Sequence, residues 1–139
     1  LIVGNNDGEV YTVSVNGNLN KPDKHIAHTS AVNDIALSPD GKRIATVGDD
    51  NTIVIWDSKN WDAFPIKANT ILKSDLGFPY SVAFTPDNNH VLVAYEYGVI
   101  LKWPTSLDVL SNLICEDVDI DLTTKELKTL LINEDANKE

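Results

Sequence analysis

Residues 28–57 read HTSAVNDIALSPDGKRIATVGDDNTIVIWD, and the punctuation of this stretch decides the fold. Three apolar runs, at Val32 to Leu37, Arg43 to Val47 and Thr52 to Trp56, are separated by Pro39-Asp40-Gly41 and by Asp49-Asp50-Asn51. Proline presets the backbone of a turn, glycine tolerates positive φ, and Asp and Asn fold their side chains back onto nearby amides. β-Branched and aromatic residues fill the runs between them. The pattern predicts short strands joined by tight turns.

Working outward, the same pattern recurs. Ser38-Pro39-Asp40 through Ile55-Trp56-Asp57 aligns without a gap on Thr85-Pro86-Asp87 through Lys102-Trp103-Pro104, at a constant offset of 47. A partial copy runs from Leu1 to Val13, where Asp7 matches Asp50 at an offset of 43. One matching Trp could be chance; a Pro-Asp turn and a Trp in common register are much harder to obtain that way. Repeats built from a few short strands imply an all-β stacked architecture. Nothing helical fits before about Ser106.

The stretch resembles a nearly complete WD repeat. Ala27-His28 stands where that family usually opens with Gly-His, and Trp56-Asp57 carries its closing dipeptide. The resemblance covers roughly residues 1–104 and implies a partial WD-repeat β-propeller of about two and a half blades. Each repeat would supply the outer strand of one blade and three strands of the next. The first copy would then give the second and third strands of one blade, and the last copy a blade lacking its outer strand. Propellers close with roughly four to eight blades, so the remainder of the propeller is itself an expected partner. The opening Leu1-Ile2-Val3-Gly4, a strand already in progress, fits the C-terminal portion of a longer protein.

The resemblance also carries a buried hydrogen-bond network, which falls here on His28, Thr46, Asp50 and Trp56. A buried imidazole and a buried indole N–H each need a partner, and this set supplies them. Asp50, His28 and a hydroxyl are also the ingredients of a hydrolase triad, but no strained nucleophile turn or oxyanion-hole motif accompanies them. The expectation is structural, with no catalytic residues and no enzyme. Counting by 47, the next copy replaces His28 by Asp75, Thr46 by Val93, Asp50 by Tyr97 and Asp57 by Pro104, and keeps only Trp103. That blade is expected to hold together by apolar packing. Phe78, Pro79, Tyr80, Tyr95 and Tyr97 crowd its loops and either fill the vacated space or offer a surface to a partner.

In the family, the loops on one face of the disc come from these turns. They would gather Thr29, Ser30, Asp49 and Asn51 from the middle blade with Phe78, Tyr80, Glu96 and Tyr97 from the next. Phe78, Tyr80, Glu96, Tyr97, Ser30 and Asp49 are the partner-binding candidates, and the expected ligand is a protein or peptide.

From Thr105 the pattern turns helical. Leu107, Leu110, Leu113 and Ile114 recur at helical spacing, and Thr123 with Glu126 forms a capping box inside a Leu122–Leu127 staple. Residues 105–139 are therefore expected to form a short helical tail. Cys115, Asp121-Leu122-Thr123 and Glu126-Leu127 resemble the tail of bacterial multidomain WD-repeat regulators, with Asp121 in place of an Asn and Leu127 in place of a Trp. That likeness implies an intracellular, cytoplasmic bacterial setting in which the propeller serves as sensor or scaffold.

Composition narrows the remaining classes. Net charge is −10, from 21 acidic and 11 basic residues, which argues against nucleic acid and anionic membrane as partners. The single cysteine, Cys115, leaves no internal disulfide. His25 and His28 could pair on a metal, but His28 is already used by the network, so neither metal nor cofactor is expected. The alternative function is a small-molecule or catalytic site completed by blades outside this chain.

Overall fold

The structure is a computed structural model that describes residues 1–13, 22–58 and 70–117. Its strands are β1 (Ile2–Gly4), β2 (Glu9–Thr12), β3 (Asp23–Ile26), β4 (Val32–Leu37), β5 (Arg43–Gly48), β6 (Thr52–Asp57), β7 (Thr70–Lys73), β8 (Pro79–Phe84), β9 (His90–Tyr95) and β10 (Ile100–Pro104). They pair antiparallel in three sheets, β1-β2-β3, β4-β5-β6-β7 and β8-β9-β10. The middle sheet is a complete four-stranded blade. The first sheet has one strand more than expected, because β3, lying ahead of His28, adds to β2 as an outer strand. β7 occupies the matching place in the middle sheet.

Side-chain alternation explains why Ile53 to Trp56 is apolar without interruption. Ala45, Val47, Ile53 and Ile55 point into a core shared with Val82, Val91, Val93 and Tyr95 of the third sheet. Ile44, Val54 and Trp56 point the other way, into a core shared with Val10 of the first sheet. A sheet covered on both faces buries every position along its strands, so its sequence cannot alternate with polar residues. Among the described residues no sheet covers the far side of the equivalent strand β10, and there Ile100 and Lys102 are exposed.

Turn chemistry keeps the registers aligned. Gly41 (φ 69°) and its counterpart Asn88 (φ 63°) hold the left-handed corner between the first two repeat strands of their blades. Asn tolerates that region better than any bulkier residue. After β10 the helix α1 (Leu107–Asp117) begins, with Leu107, Val109 and Leu110 half-buried and Leu113 exposed. The expected second helix around Thr123 to Leu131 lies outside the described residues. Among the described residues no helix is long and apolar enough to cross a membrane.

Candidate binding face and the network beneath it

The middle blade is pinned from inside by His28, which sits in the loop between β3 and β4 and is buried. Its Nδ1 lies 3.0 Å from Asp50 Oδ1 and 2.9 Å from the Thr52 hydroxyl, and its Nε2 lies 2.8 Å from the Thr46 hydroxyl. Trp56 Nε1 donates to Thr46 at 3.1 Å. One self-consistent arrangement runs through the set: the indole donates to Thr46, Thr46 donates to Nε2, and Nδ1–H donates to Asp50. Gly48 makes room for the ring, since a Cβ there would stand 2.8 Å from the imidazole.

Asp50 is the anchor. Its carboxylate accepts from the Thr52 hydroxyl at 2.6 Å, the Thr52 amide at 3.1 Å and the Thr29 amide at 2.9 Å. Desolvation pushes its pKa upward, but bonds from Thr52, Thr29 and His28 outweigh that and hold it at about 2. A carboxylate so acidic is a poor general base near neutral pH, and the Thr46 hydroxyl, fully buried, faces no solvent. Thr52 and the Thr29 amide were missed by residue-type reasoning. The spacing Asp50-x-Thr52, which lets a side chain reach an amide two residues on, was the available signal.

The third sheet departs from the expectation of purely apolar packing. Trp103 Nε1 donates to the Tyr95 hydroxyl at 3.0 Å, and the buried Ser74 hydroxyl bonds the same oxygen. Tyr95 stands at the register of Gly48, so its ring enters the space that His28 takes in the middle blade. Burial raises the pKa of this phenol. The blade therefore keeps a polar tie through a different residue.

The expected cluster divides. Pro79 and Tyr95 are buried, whereas Phe78 is 41% exposed, Tyr80 54% and Tyr97 85%, with Leu76 beside them at 44%. The loops bring Phe78, Glu96 and Tyr97 together, while Tyr80 lies within β8. Glu96 N donates to Phe78 O at 2.9 Å, tying the β9–β10 turn to the start of β8. A Cβ at Gly77 (φ 93°) would meet Glu96 Oε2 at 3.3 Å and the Tyr97 ring at 3.5 Å. Asn33 Nδ2 bridges Asp49 Oδ1 at 2.7 Å and Pro79 O at 2.9 Å, bringing Asp49 to the same place. Ser30 lies apart from this group: its carbonyl faces Gly8 in the turn of the first sheet. Tyr97 has φ 71°, a left-handed conformation unusual for an aromatic residue, and it projects the ring outward. Among the described residues no group of three metal-ligating side chains forms.

Residues 20–57 match the family described as WD domain, G-beta repeat. The chain is 28% identical over 103 residues to the small ribosomal subunit protein RACK1 of Brassica napus, covering 73% of this chain and 28% of that protein. The corresponding protein of Medicago sativa is 31% identical over 99 residues, covering 70% and 27%. A WD repeat-containing protein of Synechocystis is 37% identical over 68 residues, covering 48% of this chain and 18% of its own length. The chain thus spans little more than a quarter of the RACK1 relatives, at 28% and 27%. With a matched repeat, its copies in register and three antiparallel sheets packed face to face, the chain is a partial WD-repeat β-propeller followed by a short helix.

Proposed function

We propose that this chain is part of a protein-interaction scaffold, and that it docks a partner protein or peptide on the loop face carrying Phe78, Tyr80 and Tyr97. One observation carries the reading: the third sheet exposes Tyr97 at the register of Asp50, which the middle blade commits to its inward-facing network, and Phe78 and Tyr80 are exposed as well. Rigid, amphipathic rings are the residues that dominate binding energy at interfaces. Glu96 and Asp49 border them and would set orientation and association rate more than affinity. Ser30, from its separate position, would touch only a partner large enough to reach across the face.

The bacterial tail likeness supports a sensor or scaffold role in a larger intracellular bacterial protein, and the Synechocystis relative is a bacterial WD repeat-containing protein. The RACK1 relatives carry a ribosomal-subunit name, and a ribosomal setting would bring RNA nearby. A chain of net charge −10 is better suited to a protein surface there. A second reading has one observation in its favour: a cleft of about 330 Å³ lies beside Asp50, lined also by Ile26, Ile71 and Lys73. It is at the lower end of small-molecule site volumes.

Binding by a partner recovered with the full-length protein, measured by calorimetry, tests the proposal. Phe78→Ala or Tyr97→Ala should cost about 2 kcal/mol or more of affinity with the melting temperature held. A drop in melting temperature with binding intact would reduce both rings to packing.

A further inference from the structure

We propose that the partner presents a cationic side chain, arginine or lysine, flanked by an apolar residue, and that Tyr97 and Glu96 together receive the cation. This rests on the docking reading above and names the chemistry it selects.

Three observations converge on it. First, the charge around the exposed rings is predominantly negative. Glu96, Asp49 and Asp75 border the rings. Of the described lysines and arginines only Lys73, paired with Thr52 at the end of β7, lies toward this face, on the outer strand beside Asp50, while Lys24 is on β3, Lys42 and Arg43 are at the turn between β4 and β5, and Lys102 is within β10. Glu96 makes no ion pair among the described residues, so its carboxylate is free to accept a cation. Second, Glu96 and Tyr97 flank the same point over Gly77, with the carboxylate oxygen 3.3 Å and the ring edge 3.5 Å from where a Cβ would stand. A Cβ at position 77 would crowd Glu96 and come into ordinary contact with the Tyr97 ring. Third, the backbone accepts an unfavourable conformation to place the ring there. The corresponding turn of the middle blade puts positive φ on Asn51 alone (63°), whereas this turn puts it on Tyr97 (71°) and Gly98 (76°). A left-handed aromatic residue is a local cost that surrounding structure must offset, and here it yields a ring 85% exposed to solvent.

An exposed ring attracts a cation through its negative face, and an adjacent carboxylate adds a charge-assisted hydrogen bond. Leu76 and Phe78 supply the apolar surface for the neighbouring residue of the segment. An acidic or purely aliphatic segment would gain the apolar contact and lose the rest.

The test uses full-length protein and three fluorescein-labelled peptides of equal length. Their centres are Leu-Arg-Leu, Leu-citrulline-Leu and Leu-Glu-Leu in a Gly-Ser context, and binding is followed by anisotropy at two salt concentrations. Citrulline keeps the shape of arginine and removes its charge. The arginine peptide should bind about tenfold more tightly than the citrulline peptide and weaken as salt rises. Tyr97→Phe should bind it like the wild type, whereas Tyr97→Leu and Glu96→Gln should each lose about fivefold or more. Equal affinity for the three peptides would overturn the cation, as would a Tyr97→Leu protein that binds the arginine peptide unchanged. The docking reading fails separately, if Phe78→Ala and Tyr97→Ala leave every peptide and the recovered partner bound as before.

Discussion

His28 is the residue on which the middle blade turns, because its ring touches Asp50, Thr52 and Thr46 at once. His28→Ala would leave the buried Thr46 O–H without its acceptor and take one donor from the Asp50 carboxylate, with Trp56 still bonding Thr46. The expected loss is about 1–3 kcal/mol in chemical denaturation. Asp75→Ala, at the matching register of the next blade, should cost far less because Asp75 is exposed. Equal losses would mean that the two blades are held alike. Asp50 also predicts a pH dependence. Its folded pKa of about 2 lies below the ordinary carboxylate value, so its bonds stabilise the fold fully above about pH 4 and are lost as pH falls toward 2. In acid titrations of stability, Asp50→Asn should flatten that limb while lowering stability at neutral pH. An unchanged acid limb would assign it to other carboxylates.

Comparing whole blades shows what the chain made legible and what it hid. The turns at Pro39-Asp40-Gly41 and Asp49-Asp50-Asn51, the strands between them and the face-to-face packing follow from turn chemistry and apolar runs, and β4, β5 and β6 stand where those rules put them. Tyr95 was not legible in the same way. Register pairs Asp50 with Tyr97, which pointed to the loop, yet the hydroxyl that takes over the role of Thr46 as acceptor for the Trp comes from the position of Gly48 and reaches in through space. Register reports backbone positions, while a hydrogen bond depends on where a side chain ends. The same gap hid the split between buried Tyr95 and exposed Tyr97, both aromatic and two residues apart. Tyr95→Phe keeps the ring and removes the hydroxyl, leaving the Trp103 N–H without its acceptor. A loss of about 1 kcal/mol is expected, with Trp103 fluorescence shifted in the folded state. If stability and fluorescence both stay as in the wild type, the third sheet is held by apolar contacts alone.

On the scale of the molecule, the question is what makes the middle and third sheets one body instead of two stacked ones. Apolar burial supplies most of the attraction, but it is non-directional and does not fix the angle between blades. Polar ties at both ends of the interface do. At one end Asp40 N donates to Asn88 Oδ1 at 3.1 Å, and Arg43 reaches Asn88 O at 3.1 Å and the Thr105 hydroxyl. At the other, Asp34 serves two irregular strands together: β4 slips register between Val32 and Asp34, and β8 between Pro79 and Ser81. Each slip leaves an amide in need of an acceptor. Asp34 Oδ1 takes its own neighbour, Ile35 N, at 2.8 Å, while Oδ2 takes Val82 N at 2.9 Å and the Ser81 hydroxyl at 2.7 Å across the interface. Asp34→Ala should therefore cost about 2 kcal/mol and deprotect Ile35 and Val82 together in amide hydrogen exchange, although they lie in different sheets. Asp34→Asn, whose single carbonyl oxygen can serve one side, should deprotect one of the two. Faster exchange at Ile35 with Val82 unchanged in the alanine variant would show that Asp34 mends only its own strand, and that the blades are aligned without it.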